Sequence, residues 1–328
     1  MAFSNSISRT TFDTRKVIER SFGRCRIKAE MISAEYIEIA RDQLYLLLSD
    51  LANQGVPLWC IEKQIYPLYQ GVGDLVLDIG TVDVLNSNLR MLQEVTGTDV
   101  DTSTSRTTDF TTDTFVSTAG IRWSQASVPI SLDRSDDGTT WTTVQTETPE
   151  ASAGEWTWFD LDSVVASRFF RIVATTGTLG FSQVYLGNMP NEINLYRMNR
   201  DDYTMLPNKA FESNRPLQFW FDRQINQPIM HLWPLPNEAA EVMQIVLWRH
   251  RYIMDVGTMT QEIEVPQRWV QAIVSCLAAR LALETAEVDP NLIPLLDSKA
   301  QNDLYIAQME EQDNSTFSLA PNFSAYTR

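Results

Sequence analysis

VPQRWVQAIVSCLAARLALETAE, residues 265–287, is the stretch that decides the fold of this chain. Pro266 suits the first turn of a helix, where a backbone N–H has no partner inside the helix. Apolar side chains follow on nearly every side, and the polar stripe through Gln267, Gln271 and Ser275 is narrow. A helix of this kind must be buried on most of its sides. The apolar run is too short to cross a bilayer and an arginine interrupts it, so we predict a central core helix.

Further helices are predicted on both sides of this core helix. Asp13 or Thr14 caps a short amphipathic helix over residues 14–27. Apolar residues at helical spacing predict a long helix over residues 34–53, and a last helix over residues 291–311. Together with the core helix, these segments predict a helical bundle.

Alternating runs outside the helices predict β-strands. Residues 58–66 and 74–79 favour a two-stranded hairpin, whereas residues 81–94 fit either a short helix or a connecting segment. Three later runs predict an antiparallel meander: residues 217–221, 229–233 and 242–252.

The composition changes sharply at Thr96. Residues 96–118 are rich in Thr, Ser and Asp, which indicates a linker or the loop-rich edge of another domain. Strand-like runs follow at the spacing of a sandwich, separated by turns such as Asp137-Gly138. The runs are residues 120–123, 128–133, 141–145, 156–161, 168–174 and 181–186. We therefore predict an all-β sandwich over residues 97–188, inserted into a mostly helical host.

The predicted fold class is α+β and multidomain. A helical-bundle core with a small antiparallel β meander is interrupted by an inserted all-β, jelly-roll-like sandwich. The predicted domains are residues 1–96 and 189–312 for the two halves of the core, 97–188 for the insertion, and 313–328 for an extended C-terminal arm.

The charge and the cysteines exclude several classes of protein. The net charge of −16 argues against a surface that neutralises the phosphates of nucleic acid. Cys25, Cys60 and Cys276 are far apart in sequence, which indicates reduced thiols in a cytosolic setting. The N-terminus lacks the apolar segment of a secretion signal, so we expect no membrane crossing by that route and no membrane partner.

The sequence carries no catalytic signature. The two histidines, His231 and His250, lack partners at triad or metal-ligand spacing, and a half-buried, hydrogen-bonded role is favoured for each. The carboxylates of Asp136, Asp137, Asp160 and Asp162 fit calcium, but such residues more often form turns. We predict that the protein is not an enzyme and uses no cofactor or metal.

Four stretches of the host share patterns with one known family. They are TRKVIERSFGRCRI, SAEYIEIARDQLYLLLSDLANQGVPLW, RDDYTMLPNKAFESNRPLQFWFDRQINQPIMHLWPLPN and VPQRWVQAIVSCLAARLALETAEVDP. Together they resemble the head-to-tail (portal) adaptor, or tail accessory, proteins of short-tailed phages, over most of residues 11–94 and 196–328. The resemblance implies a virion protein of the neck, assembled in the host cytoplasm as a ring of twelve subunits. Its partners are then the portal protein, the tail nozzle or tail tube protein, and itself.

The C-terminal stretch DNSTFSLAPNFSAYTR is too apolar for an ordinary frayed end, because of Phe317, Leu319, Phe323 and Tyr326. Such a segment docks on a partner as an added strand or in pockets, and terminal disorder is the alternative. The family resemblance favours docking on the portal. In the ring, acidic side chains would line a channel through which genomic DNA passes without specific binding, although a solvated acidic surface is the commoner explanation.

The inserted region carries a second resemblance. ISLDRSDDGTTWTTVQT, WFDLDSVVASRFFRIVAT and FSQVYLGN are similar to discoidin-type, galactose-binding-like sandwiches. Trp141, Trp156 and Trp158 are candidate stacking platforms on its surface. The leading hypothesis is a structural virion protein that continues the DNA channel. The alternative is a carbohydrate- or receptor-binding module on a helical carrier, with tail fibres as further partners, and a hydrolase is disfavoured.

Overall fold

The computed structural model describes residues 12–53, 58–225 and 227–310. It divides into a helical unit, formed by the described residues up to Ile61 and from Arg251 onward, and a β unit, Glu62–His250. The helices within the described residues are α1 (Thr14–Arg24), α2 (Ala34–Asn53), α3 (Arg200–Thr204), α4 (Gln267–Glu284) and α5 (Ile293–Glu310). None of these helices has the length and apolarity that a membrane span requires.

The strands are mostly in the β unit. In chain order they are β1 (Ile61–Pro67), β2 (Asp74–Val76), β3 (Thr81–Glu94), β4 (Thr98–Asp101), β5 (Ser105–Trp123), β6 (Ile130–Ser135), β7 (Thr142–Glu147), β8 (Trp156–Ala174), β9 (Phe181–Asn194), β10 (Tyr196–Met198), β11 (Glu212–Ser213), β12 (Gln218–Asp222), β13 (Ile229–Trp233), β14 (Leu235–Pro236) and β15 (Gln244–Arg251).

The helical unit is organised around α4, as the sequence predicts. Trp269, Ile273, Leu277 and Leu281 are at most 5% exposed, and α1, α2 and α5 all pack against this helix. Burying each of these aliphatic side chains contributes roughly 1.5–3 kcal/mol relative to exposure. The prediction of a central core helix is confirmed.

The starts of α1 and α2 follow from their caps. The Asp13 carboxylate accepts a hydrogen bond from the Lys16 N–H at 2.8 Å, and the Ser33 hydroxyl accepts one from the Tyr36 N–H at 3.2 Å. These bonds satisfy backbone donors that have no intrahelical partner. The bounds of α2 agree with the prediction, whereas α1 ends three residues earlier, at Arg24.

The polar stripe of α4 meets a buried carboxylate on α5. Asp303 is 6% exposed and accepts hydrogen bonds from the Ser275 hydroxyl, from the Gln271 amide at 3.1 Å and from the Lys299 ammonium at 2.7 Å. Burial alone would raise the pKa of Asp303, but these hydrogen bonds outweigh burial and hold its pKa below the ordinary value. The stripe therefore fastens α5 to α4 through one ionised group.

The inserted region is all-β, as predicted. The two 19-residue strands β5 and β8 pair with each other along their length, with a register shift between Asp109 and Thr114. On the Asp109 side of the shift, β5 pairs with β4, and β8 pairs with β6, which in turn pairs with β7. On the Thr114 side, β5 also pairs with β9. Side chains from both halves, such as Ile172 and Phe159, share one buried cluster. The halves therefore face each other as a sandwich.

Residues 96–118 are strand and not linker, which corrects the sequence interpretation. They contribute β4 and most of β5. Threonine is β-branched and suits a pleated surface, so a Thr-rich stretch forms a strand when its polar groups find partners. The Thr108 hydroxyl donates to Asp99 at 2.6 Å, and Arg168 donates to Asp109 at 2.9 Å.

The predicted hairpin of residues 58–66 and 74–79 is wrong. β1 lies beside β15 in a nine-stranded sheet, whereas β2 pairs with β13 in a four-stranded sheet. The chain after β1 crosses to the four-stranded sheet, where the Leu232 N–H of β13 donates to the Gly73 carbonyl at 2.7 Å. Residues 81–94, for which the sequence favours a short helix or a connection, form the strand β3.

The predicted meander of three strands is correct for only two of them. β12 and β13 form an antiparallel hairpin, but β15 lies between β1 and β3 in the larger sheet. β15 is buried on both faces, which suits an interior strand better than the edge of a small sheet. The short helix α3, capped by Asn199, has no counterpart in the prediction.

The β unit contains two hydrophobic clusters. One lies within the predicted insertion, and the other collects residues of β3, β12, β13 and β15. The strand pair β3 and β9 runs across the predicted boundaries, with Glu94 opposite Gly187. The division of the chain into a core in two halves, an inserted sandwich and a C-terminal arm stays a prediction.

Replacing Asp303 with asparagine tests the role of the buried carboxylate. We expect D303N to lose about 1–3 kcal/mol of unfolding free energy at pH 7, because Lys299 loses its ionised partner. A carboxyl whose folded pKa is depressed stabilises above its unfolded pKa of about 3.9, and this stabilisation disappears as the pH falls through the folded pKa. The difference between the two proteins should therefore shrink below about pH 4.

Urea unfolding followed by far-ultraviolet circular dichroism measures this difference. D297N is the matched control, since Asp297 is exposed on the same helix. An equal loss in both variants would contradict the role given to Asp303.

Candidate functional site

Trp141 immediately precedes β7, on the outer face of the sandwich. Its indole is half-buried, and the Arg171 guanidinium carbon lies 4.1 Å from the ring centre. A cation at this distance from a tryptophan face is attracted by the electrons of the ring. Arg171 therefore fixes the orientation of the indole on the surface.

A row of polar side chains supports Arg171 from three neighbouring strands. Asp133 of β6 lies opposite both Thr143 of β7 and Arg171 of β8. The Asp133 carboxylate is 5% exposed, accepts from the Arg171 Nε at 3.0 Å, and accepts from the Thr143 hydroxyl at 2.9 Å. The adjacent residues Leu132 and Ile172 point into the core, so the row lies on the outer face.

The turn before Trp141 is held by one carboxylate. Asp137 accepts hydrogen bonds from the backbone N–H groups of Thr140 and Thr139, and then from the Ser135 hydroxyl, and these bonds lower its pKa. Gly138 has φ of 73°, a conformation that glycine adopts without strain. Asp137 is thus a turn former, the alternative to calcium that the sequence favours.

Asp160, another of the candidate calcium ligands, also has protein partners. Asp160 pairs with Lys63 at 2.7 Å and with Arg90 at 2.8 Å. Among the residues that the structure describes, no group of three His, Cys, Asp or Glu side chains is arranged to hold a metal ion.

Trp156 and Trp158 form a cluster of their own near the other end of β8. Their rings stack at 4.8 Å and 18°, and Tyr185 meets Trp158 edge-on at 5.8 Å. Trp156 is only 5% exposed, and its backbone N–H donates to the Tyr69 hydroxyl at 3.0 Å. The structure therefore brings Trp156 and Trp158 together, and it places Trp141 apart from them, with more exposure than Trp156.

The remaining predicted residues occupy different places. His231 Nδ1 lies 2.6 Å from the Asp74 carboxylate, and its ring stacks on Trp220 at 4.8 Å. His250 is buried, and burial lowers its pKa. The arm residues lie outside the described residues: Phe317, Leu319, Phe323 and Tyr326.

Arg171 and Asp133 are the site residues that sequence reasoning missed. Arg171 lies between the apolar residues Phe170 and Ile172, and Asp133 ends the alternating run Ile130-Ser131-Leu132-Asp133. This alternation marks both residues as surface-facing, but only the register of the strands shows that they meet.

Comparison with known proteins gives neither a family nor a curated relative. No family model matches the chain, and no curated protein is similar to it. Several solved structures are similar over part of the chain, including the following three. CpGH89CBM32-6 produced by Clostridium perfringens has 16% identity over 39% of this chain and 94% of its own, with a TM-score of 0.24.

The second structure is CBM32 of AlyQ in complex with 4,5-unsaturated mannuronic acid, with 12% identity over 33% of this chain and 98% of its own, and a TM-score of 0.24. The third is chitosan-binding module 2 in complex with chitotriose, from a chitosanase/glucanase of Paenibacillus sp. IK-5. Its values are 19% identity, 29% of this chain, 72% of its own and a TM-score of 0.21. These TM-scores are too low to support a fold assignment. The all-β architecture of residues 97–188 therefore follows from the strand pairing described above.

Gly120 tests the packing of the second tryptophan cluster. A Cβ atom at this position would lie 2.5 Å from the Trp158 ring. We expect G120A to cost about 1–3 kcal/mol of unfolding free energy, because the indole must move. The measurement is urea unfolding followed by tryptophan fluorescence.

Gly23 supplies the control. The same change there meets no atom within 4 Å and occurs in a helix, so G23A should be neutral or stabilising. A G120A protein as stable as the parent chain would contradict the close packing of Trp158 on Gly120.

Proposed function

We propose that the β unit is a non-catalytic carbohydrate-binding module and that Trp141 is its stacking platform. The observation that carries this proposal is the half-buried indole held by Arg171 on the outer face of the sandwich. An indole that is fixed before binding offers apolar area at little cost in conformational entropy. Pyranose rings present C–H faces of matching size.

Polar groups beside the platform suit a hydroxyl-rich ligand. Arg171 offers N–H donors, and Thr143 has a hydroxyl on the same outer row. Ligand sites typically combine an apolar surface with a few fixed polar groups that set orientation. Asp133 is a positioning residue in this proposal, because its buried carboxylate holds Arg171 against the indole.

Substituting Trp141 tests the platform directly. A glycan array probed with the full chain selects a ligand, and titration calorimetry with that glycan measures affinity. We expect W141A to weaken binding at least tenfold, which corresponds to about 1.4 kcal/mol.

Trp248 provides a matched control in the same unit. It is 41% exposed and lies on β15, outside the sandwich, so W248A should bind like the parent chain. An array without binding, or a W141A protein with unchanged affinity, would overturn the proposal.

A second candidate function, a subunit of a head-to-tail adaptor ring in a virion, is favoured by a different observation. The helix α5 exposes Tyr305, Ile306 and Met309 by 61%, 53% and 50%. Large apolar side chains grouped on one exposed surface commonly mark a protein–protein interface. In this proposal the helical units associate with one another, the portal protein and a tail nozzle or tube protein are the further partners, and the ring is assembled in the host cytoplasm.

Self-association through α5 is testable without a partner. We expect the full chain to form concentration-dependent oligomers in sedimentation velocity, and I306E to shift them to monomers because a charge replaces an apolar contact. N302E is the control, since Asn302 is an exposed polar residue on the same helix. A parent chain that stays monomeric at high concentration would remove the support for the ring.

A further inference from the structure

A line of side chains runs across five strands on the outer face of the sandwich. Val100 of β4 lies opposite Thr107 of β5, and Thr107 lies opposite Arg171 of β8. Arg171 lies opposite Asp133 of β6, and Asp133 lies opposite Thr143 of β7. We call these residues the cross-strand row. Neighbouring strands are separated by about 4.8 Å, so the row is roughly 19 Å long.

The row has apolar contact area at both of its ends. Trp141 packs on Arg171 and directly precedes β7, whereas Val100 is 59% exposed at the other end. Phe110 of β5 belongs to the core cluster, so the alternation along β5 places Thr107 on the outer face. Val100 shares that face, because it lies directly opposite Thr107. A ligand that contacts both ends must therefore be several sugar rings long.

The polar groups between the two ends carry no net charge. Arg171 is neutralised by Asp133, whose carboxylate lies 3.0 Å from both Nε and Nη2 of Arg171. The Arg171 Nη1 group has no partner among the described residues, and the same is true of the Thr107 hydroxyl. Both groups are able to bond the hydroxyl groups of a ligand. An anionic ligand would find no unpaired cation in the row, and the net charge of −16 would repel it.

We infer that the carbohydrate bound at Trp141 is a segment of an extended, uncharged polysaccharide that lies along the cross-strand row as far as Val100. This inference rests on the proposed carbohydrate-binding function and adds the class of ligand to it. A single terminal sugar would contact Trp141 and gain nothing from Val100. A longer chain places further rings over Thr107 and Val100, where its hydroxyl groups meet the threonine and its C–H groups meet the valine.

A comparison of chain lengths tests the inference. Disaccharides and hexasaccharides of the cello, manno and xylo series are titrated into the full chain by calorimetry, with hexagalacturonate as the anionic comparison. We expect at least one uncharged hexasaccharide to bind about tenfold more tightly than its own disaccharide, because only the longer chain reaches both ends of the row. Hexagalacturonate should bind more weakly than that hexasaccharide.

Substitution of Val100 separates contact along the row from the statistical advantage of a longer chain, which can bind in several positions. We expect V100A to weaken hexasaccharide binding about fivefold and to leave disaccharide binding unchanged, because apolar contact is lost only at the far end of the row. W141A should weaken both. Val164 of β8 is exposed to a similar degree, 55%, and lies outside the row, so V164A is the matched control.

Four results would overturn the inference. They are equal affinities for disaccharide and hexasaccharide, an unchanged hexasaccharide affinity in V100A, tightest binding of hexagalacturonate, and no binding of any hexasaccharide. The proposed function is judged separately, by W141A. A length-independent affinity that W141A abolishes would overturn the polysaccharide ligand alone, whereas a W141A protein that binds every sugar like the parent chain would overturn both proposals.

Discussion

The pairing of β5 with β8 is the constraint on which the β unit depends. Each strand takes part in both halves of the sandwich, so one continuous backbone carries Trp156 at one end and Arg171 near the other. The change of half occurs where Thr111 adopts φ of 64°, a conformation that is costly for a β-branched residue. This arrangement also positions the candidate platform at Trp141. The pairing of β8 with β6 places Arg171 opposite Asp133, and Arg171 in turn lies over the indole.

The helical unit depends on a different balance between apolar and polar contacts. α4 is buried almost all round, and its few polar side chains converge on Asp303. A buried carboxylate is costly unless its oxygens are hydrogen-bonded, and here three donors meet that need. The polar stripe thus determines which helix packs on that side of α4, a choice that apolar contacts alone specify poorly.

Sequence patterns identified the helices well because helical periodicity and capping are local. Asp13, Ser33 and Pro266 mark the starts of α1, α2 and α4 in both sequence and structure. Strand pairing is non-local, and this is where the predictions failed. β1 and β2 are close in sequence, yet each pairs with a strand more than 150 residues away.

The same distinction applies to the candidate site. The surface position of Trp141 beside an Asp-Gly turn could be predicted from local residues. The neighbours Arg171 and Asp133 could not, because their meeting depends on the register of β6 and β8. Burial of Trp156 was missed for a similar reason, since Tyr69 lies far away in sequence.

The two roles of β9 have a consequence for the order of folding. Its first residues pair with β5 inside the sandwich, and its last residues pair with β3, where Asn194 lies opposite Asn88. β3 and the last residues of β9 are separated in sequence by the whole insertion. Their pairing therefore has to overcome the entropy lost when this long loop closes. Folding of residues 97–188 shortens that loop by bringing β9 back beside β3. We therefore expect the nine-stranded sheet to be completed after residues 97–188 have folded, with the insertion as an internal template for the strands that flank it.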